Sequence, residues 1–161
     1  MKAINKNLLS FLTLILLFGC SEDSVTPTQE SQSIDPNKVY KWNMVTTWPK
    51  NYPGLGRAAE NLSKYVDEMS NGRMKIKVYG AGELVPAMGV FDAVSQGSVQ
   101  LGHGASYYWI GKVKSSQFFT AVPFGLTAQE MNAWIHWGGG QELWEEAYAP
   151  FNLMPMAGGN T

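Results

Sequence analysis

The sequence predicts an α/β fold with a mostly parallel sheet and helices packed on it. The first observation is that three extended segments alternate with two helical segments between residues 39 and 104. The second is that the periodicity of apolar side chains switches between two and about 3.6 along this stretch. Strands that alternate with helices form parallel sheets, because each helix returns the chain to the same end of the sheet.

The three extended segments are predicted to be strands. Residues 39–48 (VYKWNMVTTW) alternate and then become apolar, and the prolines of the following PKNYPG stretch cannot continue a central strand. Residues 73–80 (RMKIKVYG) put basic side chains on one face and apolar side chains on the other, which is typical of a strand with one wet face. Residues 98–105 (SVQLGHGA) predict a shorter third strand.

Two helices connect these strands. Residues 55–69 repeat apolar side chains at helical spacing, and the Asn-Gly pair at residues 71–72 predicts where that helix stops. A second helix is predicted to begin after Pro86, because proline suits the first turn of a helix, and to end at Gly97.

The last third of the chain is predicted to be more helical. Residues 127–130 (TAQE) form a capping box, and the glycines at 138–140 separate that helix from another that ends at Pro150. Aromatic residues predict a core between these two helices: Trp134, Trp137, Trp144 and Tyr148. Residues 118–125 predict a strand or loop, and residues 152–161 predict a fourth strand that runs into a loop.

The amino terminus has the pattern of an export signal. Lys2 and Lys6 precede an apolar stretch at residues 8–18 that is too short to span a bilayer comfortably. This stretch ends in LLFGC, which resembles a bacterial lipobox and contains the single cysteine. We expect residues 1–19 to be a lipoprotein signal peptide, and a lipid on Cys20 to anchor a periplasmic body to a membrane. An ordinary signal peptide with an incidental cysteine is the alternative.

Residues 20–38 are predicted to be a disordered tether between the anchor and the globular part, residues 39–161. Between residues 21 and 37 there are four acids, no bases and two large apolar side chains, so this segment cannot bury enough surface to order itself.

Charge and composition argue against several functions. A formal net charge of −1 is not that of a nucleic-acid-binding protein. The chain has two histidines, sparse carboxylates and no G-x-S-x-G motif, so neither an enzyme nor a metal cage is expected. The single cysteine excludes an internal disulfide.

Residues 54–59 (GLGRAA) match the dinucleotide fingerprint G-x-G-x-x-A. The fingerprint needs a tight turn, but eight residues separate Val45 from Gly54, and the second strand ends without an acid for a ribose. We therefore interpret these glycines as shaping a loop into a helix, and an NAD-type oxidoreductase is a distant alternative. The amino end of this helix is kept as a candidate for holding a carboxylate.

Residues 102–112 (GHGASYYWIGK) place three adjacent aromatics after the third strand. Adjacent side chains point in different directions and cannot all enter one core. Ligands of open α/β sheets bind outside the carboxyl ends of the strands, so this run is predicted to wall a cleft for a small polar ligand. A surface loop packed on a neighbour is the alternative, and His103 is interpreted as a hydrogen-bonded structural residue.

Several long stretches together resemble one family. They are residues 46–97 (TTWPKNYPG through VSQG), LGHGASYYWIGK, FFTAVPFGLTAQEMNAW and GGGQELWEEAY. These resemble the amino-terminal lobe of the DctP-family solute-binding proteins of tripartite ATP-independent periplasmic (TRAP) transporters. The GHGxxYYW and AVPFGLTAQEMNAW segments are most similar to the subgroup that binds 2-oxo acids such as pyruvate. The resemblance covers residues 40–161.

This resemblance implies a two-lobed periplasmic-binding-protein-like fold that holds a small carboxylate between its lobes. It implies no catalysis, and delivery of the ligand to a small and a large membrane subunit of a permease driven by a sodium gradient. It also implies eight ligand-facing residues in this chain: Thr46, Thr47, Trp48, Glu83, Ser106, Tyr107, Tyr108 and Asn160.

The resemblance further implies that the arginine pairing with the ligand carboxylate follows Thr161. The ligands of a sodium or calcium ion would lie in the same second lobe, so no cofactor or complete metal site is expected in this chain. We therefore expect the chain to be a fragment of a longer protein. A lipid-anchored sensory or partner-binding domain that reuses the fold is the alternative function.

Overall fold

The computed structural model describes residue 35 and residues 37–159. The predicted signal peptide, Cys20, most of the predicted tether and Asn160 lie outside the described residues. Where the tether meets the globular part, the Asn37 amide donates to Asp35 Oδ1 at 2.9 Å and the Lys38 amide donates to the Asp35 carbonyl. A turn therefore leads into the first strand.

The sheet has three parallel strands in the order β2-β1-β3. β1 spans Tyr40–Thr46, β2 spans Met74–Tyr79 and β3 spans Leu101–His103. In the register, Met44 lies beside both Val78 and Leu101. The predicted α/β fold with a parallel sheet is confirmed, and the carboxyl ends of β1 and β3 lie next to each other.

Helices cover both faces of the sheet. α1 (Leu55–Met69) packs on one face, where Ala59 joins a buried cluster with Met44. α2 (Val90–Ser95) follows a 3₁₀ turn and packs on the other face, where Val90 joins Val45. The first three residues of β1 are exposed.

Two further helices follow β3. α3 (Ala128–Trp137) begins at the predicted capping box, in which the Thr127 amide donates to Glu130 Oε2 at 2.8 Å and the Glu130 amide donates to Thr127 Oγ1. α4 (Gly140–Tyr148) begins after Gly139, whose φ of 85° lies in the left-handed region that favours glycine. The predicted pair of helices and the glycine break are confirmed.

The core between these helices differs from the prediction at one residue. Phe119 lies between two indoles, with its ring 5.8 Å from Trp134 and 5.4 Å from Trp144, nearly parallel to both. Trp137, in contrast, is 90% exposed. Its assignment to the core was wrong, and Phe119, from another segment, is the aromatic residue that packs with Trp134 and Trp144.

Of the two later segments, residues 118–125 take the loop alternative and residues 153–159 are not a strand. Residues 118–125 begin inside a 3₁₀ helix (Lys114–Phe119) and continue as a loop. Residues 153–159 pair with none of the described strands, so the predicted fourth strand is wrong over the described residues. One backbone group of this segment is hydrogen-bonded to a side chain, because Gln141 Nε2 donates to the Pro155 carbonyl at 2.8 Å.

Candidate functional site: a cavity at the strand ends

A cavity of about 390 Å³ lies outside the carboxyl ends of β1 and β3. We refer to it as the strand-end cavity. Its wall is formed by the loop after β1, the start of α1 and the end of β3. The segment around Phe119, the helices α3 and α4, and residues 156–159 complete it. This is the position at which open parallel sheets bind ligands.

The described wall of the strand-end cavity carries no charged side chain. Its polar side chains are His103, Ser106, Thr120 and Asn132, and two tryptophans, Trp48 and Trp144, also line it. Each of these groups can donate a hydrogen bond without bringing a formal charge. The wall is therefore suited to a small polar ligand whose charge is matched elsewhere.

A second cavity, of about 540 Å³, is less suitable for an anion. It lies beside the Phe119 and Trp134 rings and is lined mainly by apolar side chains. Its only ionisable side chain is Glu146, whose carboxylate would repel a ligand carboxylate. We therefore take the strand-end cavity as the candidate site.

Packing on both sides of His103 directs its ring into the strand-end cavity. A Cβ on Gly102 would lie 2.9 Å from Val90 Cγ1 and Val94 Cγ2, so that position is pressed against α2. A Cβ on Gly104 would lie 3.0 Å from Trp109 Cζ2. Because successive residues of a strand face opposite sides, His103 faces the α1 side, where the cavity lies.

The imidazole of His103 is half-buried and lies against Trp48, with 5.0 Å between ring centroids. Burial lowers the pKa of His103, so the ring is neutral at neutral pH. Its Nδ1 is buried and has no hydrogen-bond partner among the described residues. An unpaired buried polar atom costs roughly 1–3 kcal/mol, and the described residues do not supply to Nδ1 the hydrogen bond that a structural role for His103 predicts.

The three adjacent aromatics diverge, as the sequence predicts. They form a 3₁₀ helix (Ser106–Trp109), in which Trp109 is buried against Phe91 with 5.5 Å between ring centroids. Tyr107 is 37% exposed and meets Tyr108 edge-on at 4.7 Å. Neither tyrosine lines the strand-end cavity, although the Tyr108 ring lies 6.1 Å from Trp48, which does.

Ser106 lines the strand-end cavity and is 6% exposed. Its hydroxyl lies 2.9 Å from the hydroxyl of Tyr148 at the end of α4. Burial raises the pKa of Tyr148, and the hydrogen bond to Ser106 partly offsets that rise. A hydroxyl can donate and accept at once, so this bond leaves Ser106 able to meet a ligand.

Of the three residues predicted in the first loop, only Trp48 lines the strand-end cavity. The Thr46 hydroxyl donates to the Trp48 carbonyl, which fixes the turn after β1. Thr47 is 8% exposed, and its Oγ1 has no hydrogen-bond partner among the described residues. The two threonines therefore support the wall of the cavity rather than forming it.

Glu83 lies away from the strand-end cavity and is paired with a base. Its Oε2 is 2.7 Å from Lys50 Nζ, and this hydrogen bond lowers the pKa of Glu83. The pair joins the loop after β2 to the loop after β1. Asn160, the remaining predicted contact, lies outside the described residues.

The amino end of α1 forms part of the cavity wall, but its amides are already engaged. The Gly56 and Arg57 amides donate to the Tyr52 carbonyl, at 3.1 and 3.2 Å, so they are not free to bind a carboxylate. A Cβ on Gly56 would lie 2.3 Å from the Pro49 carbonyl oxygen. Gly56 therefore allows the loop to pack closely on the helix, which agrees with the interpretation that these glycines shape a loop into a helix.

Sequence reasoning missed the part of the cavity that comes from later in the chain. Phe119, Thr120, Asn132 and Trp144 line it from segments with no recognisable ligand motif. His103 was noted but not assigned to the site. Its position between two glycines at a strand end was the available signal.

The described residues contain neither a metal-binding cluster nor a helix that could span a membrane. Residues 37–159 with residue 35 contain no cluster of three or more His, Cys, Asp or Glu side chains that is able to hold a metal ion. Within the same part of the chain, no helix has the length and apolarity needed to cross a bilayer.

Comparison with known proteins identifies close relatives of this chain. It is 45% identical over 145 residues to a monocarboxylate 2-oxoacid-binding periplasmic protein of Nostoc sp.. A TRAP periplasmic solute binding protein from Pseudoalteromonas atlantica, solved with bound sodium and pyruvate, matches with a TM-score of 0.71 and 46% identity. One from Colwellia psychrerythraea, with bound calcium and pyruvate, has the same TM-score and 45% identity.

These matches cover most of this chain but a minor part of each relative. The Nostoc match covers 90% of this chain and 38% of the relative. Each of the two structural matches covers 73% of this chain and 36% of the other chain. The model of the DctP family, described as bacterial extracellular solute-binding protein, family 7, matches residues 44–155, and the chain therefore belongs to this family.

Proposed function

We propose that this chain forms part of an extracytoplasmic receptor that binds a small 2-oxo acid, such as pyruvate, and delivers it to a TRAP permease. The observation that carries the proposal is the strand-end cavity, an uncharged pocket lined by donors in a chain of the solute-binding family. The proposal involves no catalytic step, because binding and release are sufficient for a receptor.

The dimensions and polarity of the cavity support a small ligand. A 2-oxo acid has a methyl or short alkyl end and three oxygens that accept hydrogen bonds. The wall offers apolar surface from Phe119 and Met131 beside donors such as Ser106 and Asn132. Tyr107 and Tyr108 remain proposed contacts, since Tyr108 packs near Trp48 and Tyr107 is exposed and meets Tyr108.

The charge of the carboxylate must be matched from outside the described wall. A bidentate arginine is the usual partner of a carboxylate, and none lines the strand-end cavity. Sodium and calcium prefer several oxygen ligands, and the described wall offers no carboxylate, so it does not fit a cation site of its own. We propose that both the arginine and the cation site belong to the remainder of a longer protein.

Anchoring and delivery are parts of the same proposal. A lipid on Cys20 would hold the receptor at a membrane on the periplasmic side, with residues 20–38 as the tether. Labelling cells with a radioactive fatty acid tests this: wild-type protein is expected to carry label and to sediment with membranes, and Cys20→Ala is expected to do neither. Label on the Cys20→Ala variant would contradict the anchor.

Calorimetry of the full-length protein tests binding directly. We expect pyruvate to bind in sodium or calcium buffer and succinate, a dicarboxylate, to bind much more weakly. Trp48→Ala, Tyr107→Ala and Tyr108→Ala are expected to weaken pyruvate binding, whereas Tyr65→Ala, an exposed tyrosine on α1, serves as the matched control. Unchanged affinity in both Tyr107→Ala and Tyr108→Ala would remove those rings from the site.

The alternative, a sensory or partner-binding domain, makes a different prediction about neighbouring genes. Genes for a small and a large TRAP membrane subunit beside this gene favour transport, and a histidine kinase gene favours sensing. An oxidoreductase predicts cofactor absorbance in the purified protein, which a receptor does not.

A further inference from the structure

We propose that His103 positions the ligand, by donating a hydrogen bond from its imidazole to an acceptor oxygen of the solute in the strand-end cavity. This inference rests on the proposed function, because it assigns a contact within the same site. His103 is not among the eight ligand-facing residues that the family resemblance implies, and the sequence pattern alone favours a structural role for it.

The His103 ring has little freedom to turn away from the cavity. A Cβ added to Gly102 would lie 2.9 Å from the side chains of Val90 and Val94. A Cβ added to Gly104 would lie 3.0 Å from those of Thr47 and Trp109. Backbone packing on both sides therefore fixes the direction in which His103 leaves the strand. Its ring then lies against Trp48, at the wall of the cavity.

The protein also leaves one polar atom of this ring unpaired. Nδ1 of His103 is buried and finds no hydrogen-bond partner among the described residues. Buried polar groups in proteins are nearly always paired, and an exception calls for an explanation. Because no described group fixes the proton of this ring on one nitrogen, the N–H is free to take the position that meets an oxygen in the cavity, whose wall the ring lines.

The hydrogen-bonding groups of a 2-oxo acid and of a neutral imidazole are complementary. The carboxylate and keto oxygens of a 2-oxo acid only accept hydrogen bonds, so the protein must supply donors. A neutral imidazole has one N–H, which can reside on either nitrogen. Because burial lowers the pKa of His103, the ring contributes this donor without a charge, and no charged side chain in the described wall competes for it.

Three substitutions in the full-length protein test the hydrogen bond. His103→Leu removes the donor, whereas His103→Asn places an amide nitrogen near the Nδ1 position and His103→Gln places one near Nε2. We expect His103→Leu to weaken pyruvate binding about tenfold or more, and one of the two amide variants to stay within a few-fold of wild type. The amide that rescues binding identifies the donating nitrogen.

His136→Leu is the matched control, because His136 is exposed on α3 and does not line the cavity. Its affinity for pyruvate is expected to equal that of wild type. Equal affinity in His103→Leu would overturn the proposal. Equal losses in all three His103 variants would also overturn it, since ring shape rather than a donor would then explain the effect.

A measurement on the wild-type protein avoids any variant that fails to fold. Nitrogen-15 spectra of the imidazoles report which ring nitrogen carries the proton, and the His103 signal is identified by its absence in His103→Asn. We expect saturating pyruvate to shift this signal toward a single hydrogen-bonded tautomer. A signal that does not change when pyruvate binds would overturn the inference while leaving the proposed function intact, whereas failure of wild type to bind any 2-oxo acid would overturn the proposed function itself.

Discussion

The hydroxyl of Ser106 lies 2.9 Å from the hydroxyl of Tyr148, and both residues are buried. This bond joins the turn after β3 to the end of α4, across 42 positions of sequence. Because Ser106 also lines the strand-end cavity, the bond connects the wall of the proposed site to the helical part of the core.

We expect Ser106→Ala and Tyr148→Phe each to lower the free energy of unfolding by roughly 1–3 kcal/mol, because each leaves a buried hydroxyl without its partner. The double variant should cost clearly less than the sum of the two. Urea unfolding of the four proteins gives the coupling energy. Tyr65→Phe, at an exposed tyrosine, is the control, and additive losses would contradict a direct bond.

A second prediction concerns the close packing under His103. Gly102→Ala would place a methyl group 2.9 Å from two valine side chains of α2 and should destabilise the protein by about 1–3 kcal/mol. Gly111→Ala has no heavy atom within 4 Å of the added Cβ and should change stability by less than about 0.5 kcal/mol. Thermal melts of both variants measure this difference. Equal melting midpoints would mean that α2 can shift to accept the methyl group without a loss of stability.

A third prediction concerns the start of α3. Thr127→Ala removes the side chain that accepts the Glu130 amide hydrogen bond and should cost about 1 kcal/mol of stability. Gln129→Ala lies in the same first turn, is exposed, and should be close to neutral. Chemical unfolding compares the two variants, and a Thr127→Ala variant as stable as Gln129→Ala would show that this cap contributes nothing.

A fourth prediction follows from the lowered pKa of His103, for which burial is the cause. The unfolded chain takes up a proton as the pH falls through about 6.5, while the folded protein resists protonation until a lower pH. The unfolded state therefore binds more protons in this window, and stability falls with acidification. The described groups packed closest to the ring are Trp48 and, beyond it, Tyr108, neither of which is charged near neutral pH.

Melting temperatures measured between pH 5 and pH 8 test this dependence. We expect His103→Asn to have a flatter profile than wild type over this range, and His136→Asn, at an exposed position, to follow wild type. Parallel profiles for wild type and His103→Asn would mean that His103 is not buried as a neutral ring in the folded protein.

The sequence by itself determined most of the scaffold. Apolar spacing predicted α1 at residues 55–69, which is where the structure has it, and the alternation in RMKIKVYG predicted the wet face of β2. The capping box and the break between α3 and α4 were also predicted correctly. These features depend on one element at a time, so local periodicity and turn chemistry are sufficient to reveal them.

Only the tertiary structure decided which side chains surround the strand-end cavity. Phe119 packs on Trp134 and Trp144 in the helical core, Glu83 is bound to Lys50, and His103 is left with an unpaired nitrogen beside Trp48. Each of these outcomes depends on a contact between segments distant in sequence, or on the lack of one. Periodicity shows which face of an element is buried, but packing between elements decides what that face meets, and this is why the lining of the cavity could not be predicted from the sequence.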